Sequence, residues 1–119
     1  VMVAGGVVST DRWPILDWQT GGWIAGFVGA HDRLIRACND DTRIIPANGP
    51  AISLGELKSL RAMYFAIYQR LVKALNNGLS PAEAVAEQPA KEFQPTWDSP
   101  DRFIEQAFKS QRAHQARNG

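Results

Sequence analysis

The sequence is short of several things, and each shortage excludes something. Among 119 residues there is one cysteine, Cys38, and there are two histidines, His31 and His114. A lone cysteine rules out an internal disulfide and any zinc site built from a cysteine cluster. The two histidines stand 83 positions apart, and no pair of histidines with a carboxylate has metal-ligand spacing. Charge of one sign is missing too. Thirteen Lys and Arg against twelve Asp and Glu leave a formal net charge of +1, so nothing argues for nucleic acid or an acidic membrane surface. No apolar run reaches the ~20 residues that a membrane-spanning helix needs, and no signal-peptide pattern is visible. There is no Gly-x-Ser-x-Gly elbow and no phosphate loop. The glycine-rich AGGVV leads into a tryptophan-rich loop and not into a helix, which speaks against a dinucleotide fingerprint.

What remains is ordinary for one globular domain: 45% hydrophobic and 21% charged residues. The chain opens inside an apolar strand, VMVAGGVV, at residues 1–8, interrupted by Gly5-Gly6. Chain ends are usually exposed and frayed, so the expectation is that something precedes Val1. Residues 9–19, STDRWPILDWQ, read as a loop carrying two Trp and two Asp.

From about Thr20 to Cys38 a helix is expected. Trp23, Ile24, Phe27, His31, Leu34, Ile35 and Cys38 recur on one face. The glycines there, Gly21, Gly22, Gly26 and Gly29, suggest close packing against a sheet. His31 reads as a hydrogen-bonded core residue and Cys38 as a small buried one. Residues 42–45 form a second apolar strand that Pro46 breaks into a polar turn, with Asn48-Gly49 as the turn signal.

Ser53 and Glu56 then make a capping box. Leu54, Leu57, Leu60, Tyr64, Ile67, Leu71 and Leu75 follow at helical spacing, and Gly78 stops the helix. Ser80, Pro81 and Glu83 repeat the start signal for a short helix ending before Pro89. After a turn-rich connection, Ser99-Pro100 opens a last helix with Phe103, Ile104, Ala107 and Phe108 on its apolar side. SQRAHQARNG reads as a polar tail. Two apolar strands alone are marginal in water and both faces want cover. A larger sheet, completed by another part of the protein or by a second copy, is therefore expected.

The densest polar and aromatic cluster is DRWPILDW, with Asp11, Arg12, Trp13, Asp17 and Trp18. One reading is structural: the aspartates cap turns, Arg12 pairs with one of them, and the Trp rings cover a sheet edge. The other is a pocket rim, because loops after strands often carry sites.

Two segments together resemble the metallo-β-lactamase superfamily. VMVAGGVVSTDRWP is similar to that superfamily's strand of three hydrophobic residues, Ala-Gly-Asp and a further hydrophobic residue, with Arg-x-Pro beyond the following loop. DDTRIIPANGP is similar to its late strand and turn, Thr-x-Ile-Val-Pro-Gly-His-Gly-Pro. The intervening helix and the long helix after it fall in the superfamily's order, so the resemblance covers most of residues 1–75. The helices from SPAEAVAEQPAKEF to FIEQAF resemble a C-terminal extension of some bacterial members.

The resemblance implies an α/β fold. The chain would be the C-terminal half of an αββα sandwich over residues 1–78, followed by a helical extension and polar tail over 79–119. The His-x-His-x-Asp-His motif would lie upstream. The superfamily's bridging Asp would fall on Gly6 and its last metal-binding His on Asn48, so both ligand positions would be degenerate. Glycine offers no ligand, and a neutral amide is a poor substitute for imidazole on zinc.

The chain itself would then hold no cofactor, and zinc would enter only through the N-terminal half. The expected pocket joins Asp11, Arg12, Trp13, Asp17 and Trp18 to Asn48, with Arg12 facing an anionic group. Three readings stay open: a hydrolase-like protein with a mono-metal or metal-free site acting on a small molecule, an inactive member used for binding or assembly, and an unrelated small helical domain. The expected partner is the N-terminal half or a second copy.

Overall fold

A computed structural model describes residues 2–9, 13, 24–93 and 99–118, with the backbone alone described at 2–9, 47, 48, 92 and 114–118. The fold is mixed α/β, mostly helical. Strand β1 (Met2–Ser9) is followed by helix α1 (Ile24–Arg36), strand β2 (Arg43–Asn48) and the short strand β3 (Ile52–Ser53). Then come the long helix α2 (Leu54–Asn76), the short α3 (Pro81–Ala86), a 3-10 turn at Lys91–Phe93 and α4 (Asp101–Asn118). The sheet order is β1-β2-β3. β1 and β2 are parallel, with α1 in the crossover that a parallel pair requires, and β3 runs antiparallel to β2.

The helix starts are those written in the sequence. Ser53 Oγ accepts the Glu56 amide at 3.2 Å, and Glu56 Oε1 accepts the Ser53 amide at 3.3 Å. Ser80 and Glu83 repeat the arrangement, with Pro81 opening α3. Each box satisfies amides at a helix start that have no partner inside the helix. Gly78, at φ +76°, turns the chain out of α2.

Six expectations need correction. Strand β2 does not break at Pro46 but runs on to Asn48. Its antiparallel neighbour faces only Arg43 and Ile44, so past Ile44 that edge of β2 is open and a proline is tolerated. Among the described residues there are three strands and not two, since Ile52–Ser53 joins the sheet ahead of α2. β2 alternates instead of burying both faces: Ile44 and Pro46 are buried, while Ile45 is 42% exposed. The last helix does not end in a loose tail but continues to Asn118, with Ser110 and Gln111 buried. Cys38 is half-buried. At Gly29 an added Cβ would meet only the end of Arg33, at 3.8 Å, so close packing does not demand glycine there.

Two clusters of buried side chains hold the molecule together. The larger joins Trp13, Ile24 and Val28 to Met63, Tyr64, Ile67 and Leu71 of α2, and these to Phe103, Ile104, Ala107 and Phe108 of α4. It also takes in Ala84 and Ala90, so one core crosses residues 78–79. The smaller lies under the sheet, where Ile44, Ile52 and Leu57 pack with the partly buried Leu34, Ile35, Cys38 and Leu60.

Ser110 ties the first helix to the last. Its buried hydroxyl accepts the Ile24 amide at 3.2 Å and donates to Ala107 O at 2.6 Å. A serine 86 positions away thus serves an amide at the start of α1.

Candidate functional site

The expected site lies where β1 and β2 end. Their register pairs Met2 with Ile44, Val3 with Ile45, Ala4 with Pro46 and Ser9 with Asn48. Between the last two pairs β1 has residues 5–8 and β2 has residue 47 alone. β1 is therefore irregular there, a conformation that Gly5-Gly6 permits. Gly6 sits inside the irregular stretch, and Asn48 lies opposite Ser9. Asn48 is the last residue of β2, and the turn proper follows at Gly49, whose φ of +94° suits glycine. The parallel pairing brings the start of the loop after β1 and the end of β2 to one end of the sheet.

Of the residues expected to line a pocket, Asp11, Arg12, Asp17 and Trp18 lie outside the described residues. Trp13 has a packing role. It is 7% exposed, stacks on Phe103 with centroids 5.4 Å apart, and meets the Tyr64 ring edge-on at 6.2 Å. At that burial it offers little surface to a ligand. Beside the turn runs an open groove of about 430 Å³ between Pro50, Ala51 and Ile52 on one side and Leu60, Met63 and Phe93 on the other. Its two polar side chains already have partners. The Glu56 carboxylate accepts from Ser53, and Ser59 Oγ donates to Gly55 O at 3.2 Å. The groove therefore presents mainly apolar surface.

His31 is the hydrogen-bonded core residue that the helical stripe suggested, and other polar residues join it in the core. His31 is fully buried, and its Nδ1 lies 2.9 Å from Phe27 O. Burial holds its pKa below 6.5, against weaker opposing effects of the Phe27 carbonyl and of Asp32. Burial also raises the Tyr64 hydroxyl well above its usual range. His31 Nε2, Tyr64 OH and Gln111 Oε1 are buried with no hydrogen-bond partner among the described residues. The helical stripe predicted a buried His31, but nothing in it signalled the apposition to Tyr64, 33 positions later. Next to His31, Asp32 receives Arg61 of α2 in a forked pair, Nε at 2.8 Å and the second nitrogen at 3.4 Å. The Arg61 guanidinium also lies 4.6 Å over the Phe65 ring.

Among the described residues no three His, Cys, Asp or Glu side chains come together in a way that could hold a metal ion. No described helix is long and apolar enough to cross a membrane. No protein-family profile, curated protein or solved structure matches the chain.

Proposed function

We propose that the chain is the C-terminal half of a metallo-β-lactamase-like αββα sandwich, within a hydrolase-like protein whose site for a small molecule is atypical. The observation that carries this reading is the parallel pairing of β1 with β2 across α1. The two segments that bear the resemblance are neighbouring strands ending together, as a shared site at the strand ends requires. Unrelated helical packing gives no reason for that pairing.

At the two positions that the resemblance assigns to metal ligands, the residues do not fit a zinc centre. Gly6 has no side chain, Asn48 brings a neutral amide, and the described residues hold no donor cluster. Zinc would be held by histidines of the N-terminal half. The same loss of donors favours a second reading, an inactive relative that binds or assembles. In either case the exposed Ile45 face of the sheet supports a partner layer, from the N-terminal half or a second copy.

The test restores the donors. In the intact protein, Gly6→Asp with Asn48→His should raise bound zinc by about one equivalent, measured by elemental analysis after gel filtration. Unchanged zinc content in a folded double variant would refute the shared geometry. Hydrolysis by the unsubstituted protein of a small ester, lactone or thioester panel would separate the two readings, since the binding reading expects none.

A further inference from the structure

We propose that His31 and Tyr64 form an acid-sensitive latch between α1 and α2: a neutral imidazole holds the two helices together, and its protonation loosens them. The argument begins with the tautomer. A backbone carbonyl can only accept, so the 2.9 Å approach of Nδ1 to Phe27 O puts the ring hydrogen on Nδ1. Nε2 is then a lone-pair acceptor, and no donor among the described residues reaches it. The Tyr64 hydroxyl, 1% exposed, is a donor with no acceptor. The two rings lie 5.3 Å apart, tilted by 50°. Neutral histidine and tyrosine therefore pack ring against ring without a hydrogen bond between them, one short of a donor and the other of an acceptor.

Protonation reverses that match. Imidazolium carries a donor on each nitrogen, and only the Nδ1 donor has an acceptor. The new Nε2 hydrogen would have no acceptor within reach among the described residues, where the rings of Phe27 and Tyr64 pack around it. The charge would sit on a residue with no solvent exposure, where an unpaired charge is strongly disfavoured.

The surroundings offer little compensation. On α1 the nearby carboxylate is Asp32, and it is already engaged by Arg61 of α2, itself a cation. The other cations at that end of α1 are Arg33 and Arg36. From α2 the facing titratable group is Tyr64. From α4 the ring that reaches Tyr64 is Phe103, and the buried polar residues Ser110 and Gln111 carry no charge. β1, MVAGGVVS, contains no titratable side chain.

The sign follows from linkage. The folded-state pKa of His31 lies below 6.5, its value when exposed in the unfolded chain. The unfolded state therefore binds the proton more readily as pH falls through 6.5. Stability is fully present above that pH and is lost below it, by up to about tenfold in the folding equilibrium constant per pH unit, until the folded-state pKa is reached.

Two measurements on the intact protein test the latch. In ¹⁵N-resolved NMR of the unsubstituted protein, the neutral His31 ring should carry its hydrogen on Nδ1 and should titrate below 6.5. A ring that titrates at about 6.5 or above, or that carries its hydrogen on Nε2, overturns the proposal. In urea unfolding between pH 6.5 and 5.5, the unsubstituted protein should lose more of its folding equilibrium constant than His31→Gln, which cannot ionise, by up to about fivefold. Equal losses overturn the proposal. The NMR measurement needs no substitution, so a variant that fails to fold does not shelter the idea.

Discussion

The two clusters of buried side chains differ in kind, and the difference sets what each part of the molecule can do. The helical cluster is closed. Trp13, Tyr64, Phe103 and Phe108 are surrounded by residues of α1, α2 and α4, and even its polar members Ser110 and His31 are buried. The sheet cluster has one side only. Ile44, Ile52 and Leu57 are covered by α1 and α2, while Ile45, the neighbour of Ile44, faces outward at 42% exposure. A sheet hydrophobic on one face and covered there is a stable half of a layered domain, and an apolar residue on its other face marks where a further layer fits. Stability resides in the helices, and the proposed partner layer would join at the sheet.

The largest expected effect falls in the closed cluster. Phe108→Ala should destabilise by about 3–5 kcal/mol, because the site is enclosed and collapses little around the cavity. Chemical denaturation of the 119-residue chain measures it; a loss below ~1 kcal/mol would mean that the α4 core is loose. Leu57→Ala in the sheet cluster should come next, near the lower end of the ~2–5 kcal/mol usual for such truncations, because a cluster with an open side relaxes more easily. The reverse order of these two would break the comparison.

Ser110→Ala should destabilise by about 1–3 kcal/mol, the usual effect of leaving a buried amide, here that of Ile24, without an acceptor. Hydrogen exchange should report the loss first in the opening turn of α1, not in α3. Ile45→Thr sharpens the contrast from the other side. In the 119-residue chain it should change stability by no more than ~0.5 kcal/mol, as exposed substitutions do. In the intact protein it should be more damaging, because the proposed partner layer covers that face. The smallest effect is at Glu83. Its hydrogen bonds from the Ser80 backbone and hydroxyl hold its carboxyl below 4.5, so the support it gives α3 is present above that pH and fades as pH falls through the lowered value. An NMR titration placing Glu83 at or above 4.5 would remove that contribution.

How much was legible beforehand differs between local and distant effects. The capping boxes at Ser53/Glu56 and Ser80/Glu83, the end of α2 at Gly78 and the apolar face of α4 through Phe108 follow from neighbours three or four positions apart. The sequence carries those directly. The same reasoning misjudged Pro46, because whether a proline ends a strand depends on whether another strand faces it there. It also took SQRAHQARNG for a loose tail, because hydrophobic periodicity stops at Phe108. Gln111 continues the buried face as a polar residue, and Ser110 turns toward the start of α1. A pattern of apolar spacing has no means to register either.

The candidate site divides in the same way. Gly6 and Asn48 could be singled out in the sequence, but their placement on neighbouring parallel strands, with Asn48 opposite Ser9 and Gly6 in the irregular stretch before it, came from the pairing. Trp13 reads as a loop aromatic and becomes a core ring because Phe103, 90 positions on, stacks against it. By itself the sequence determined where helices begin and which faces they bury, since these depend on residue type and short-range spacing. Only the tertiary structure decided which strands pair, which face of the sheet stays open and which buried polar atoms meet. Those depend on contacts between distant segments, which local preference does not specify.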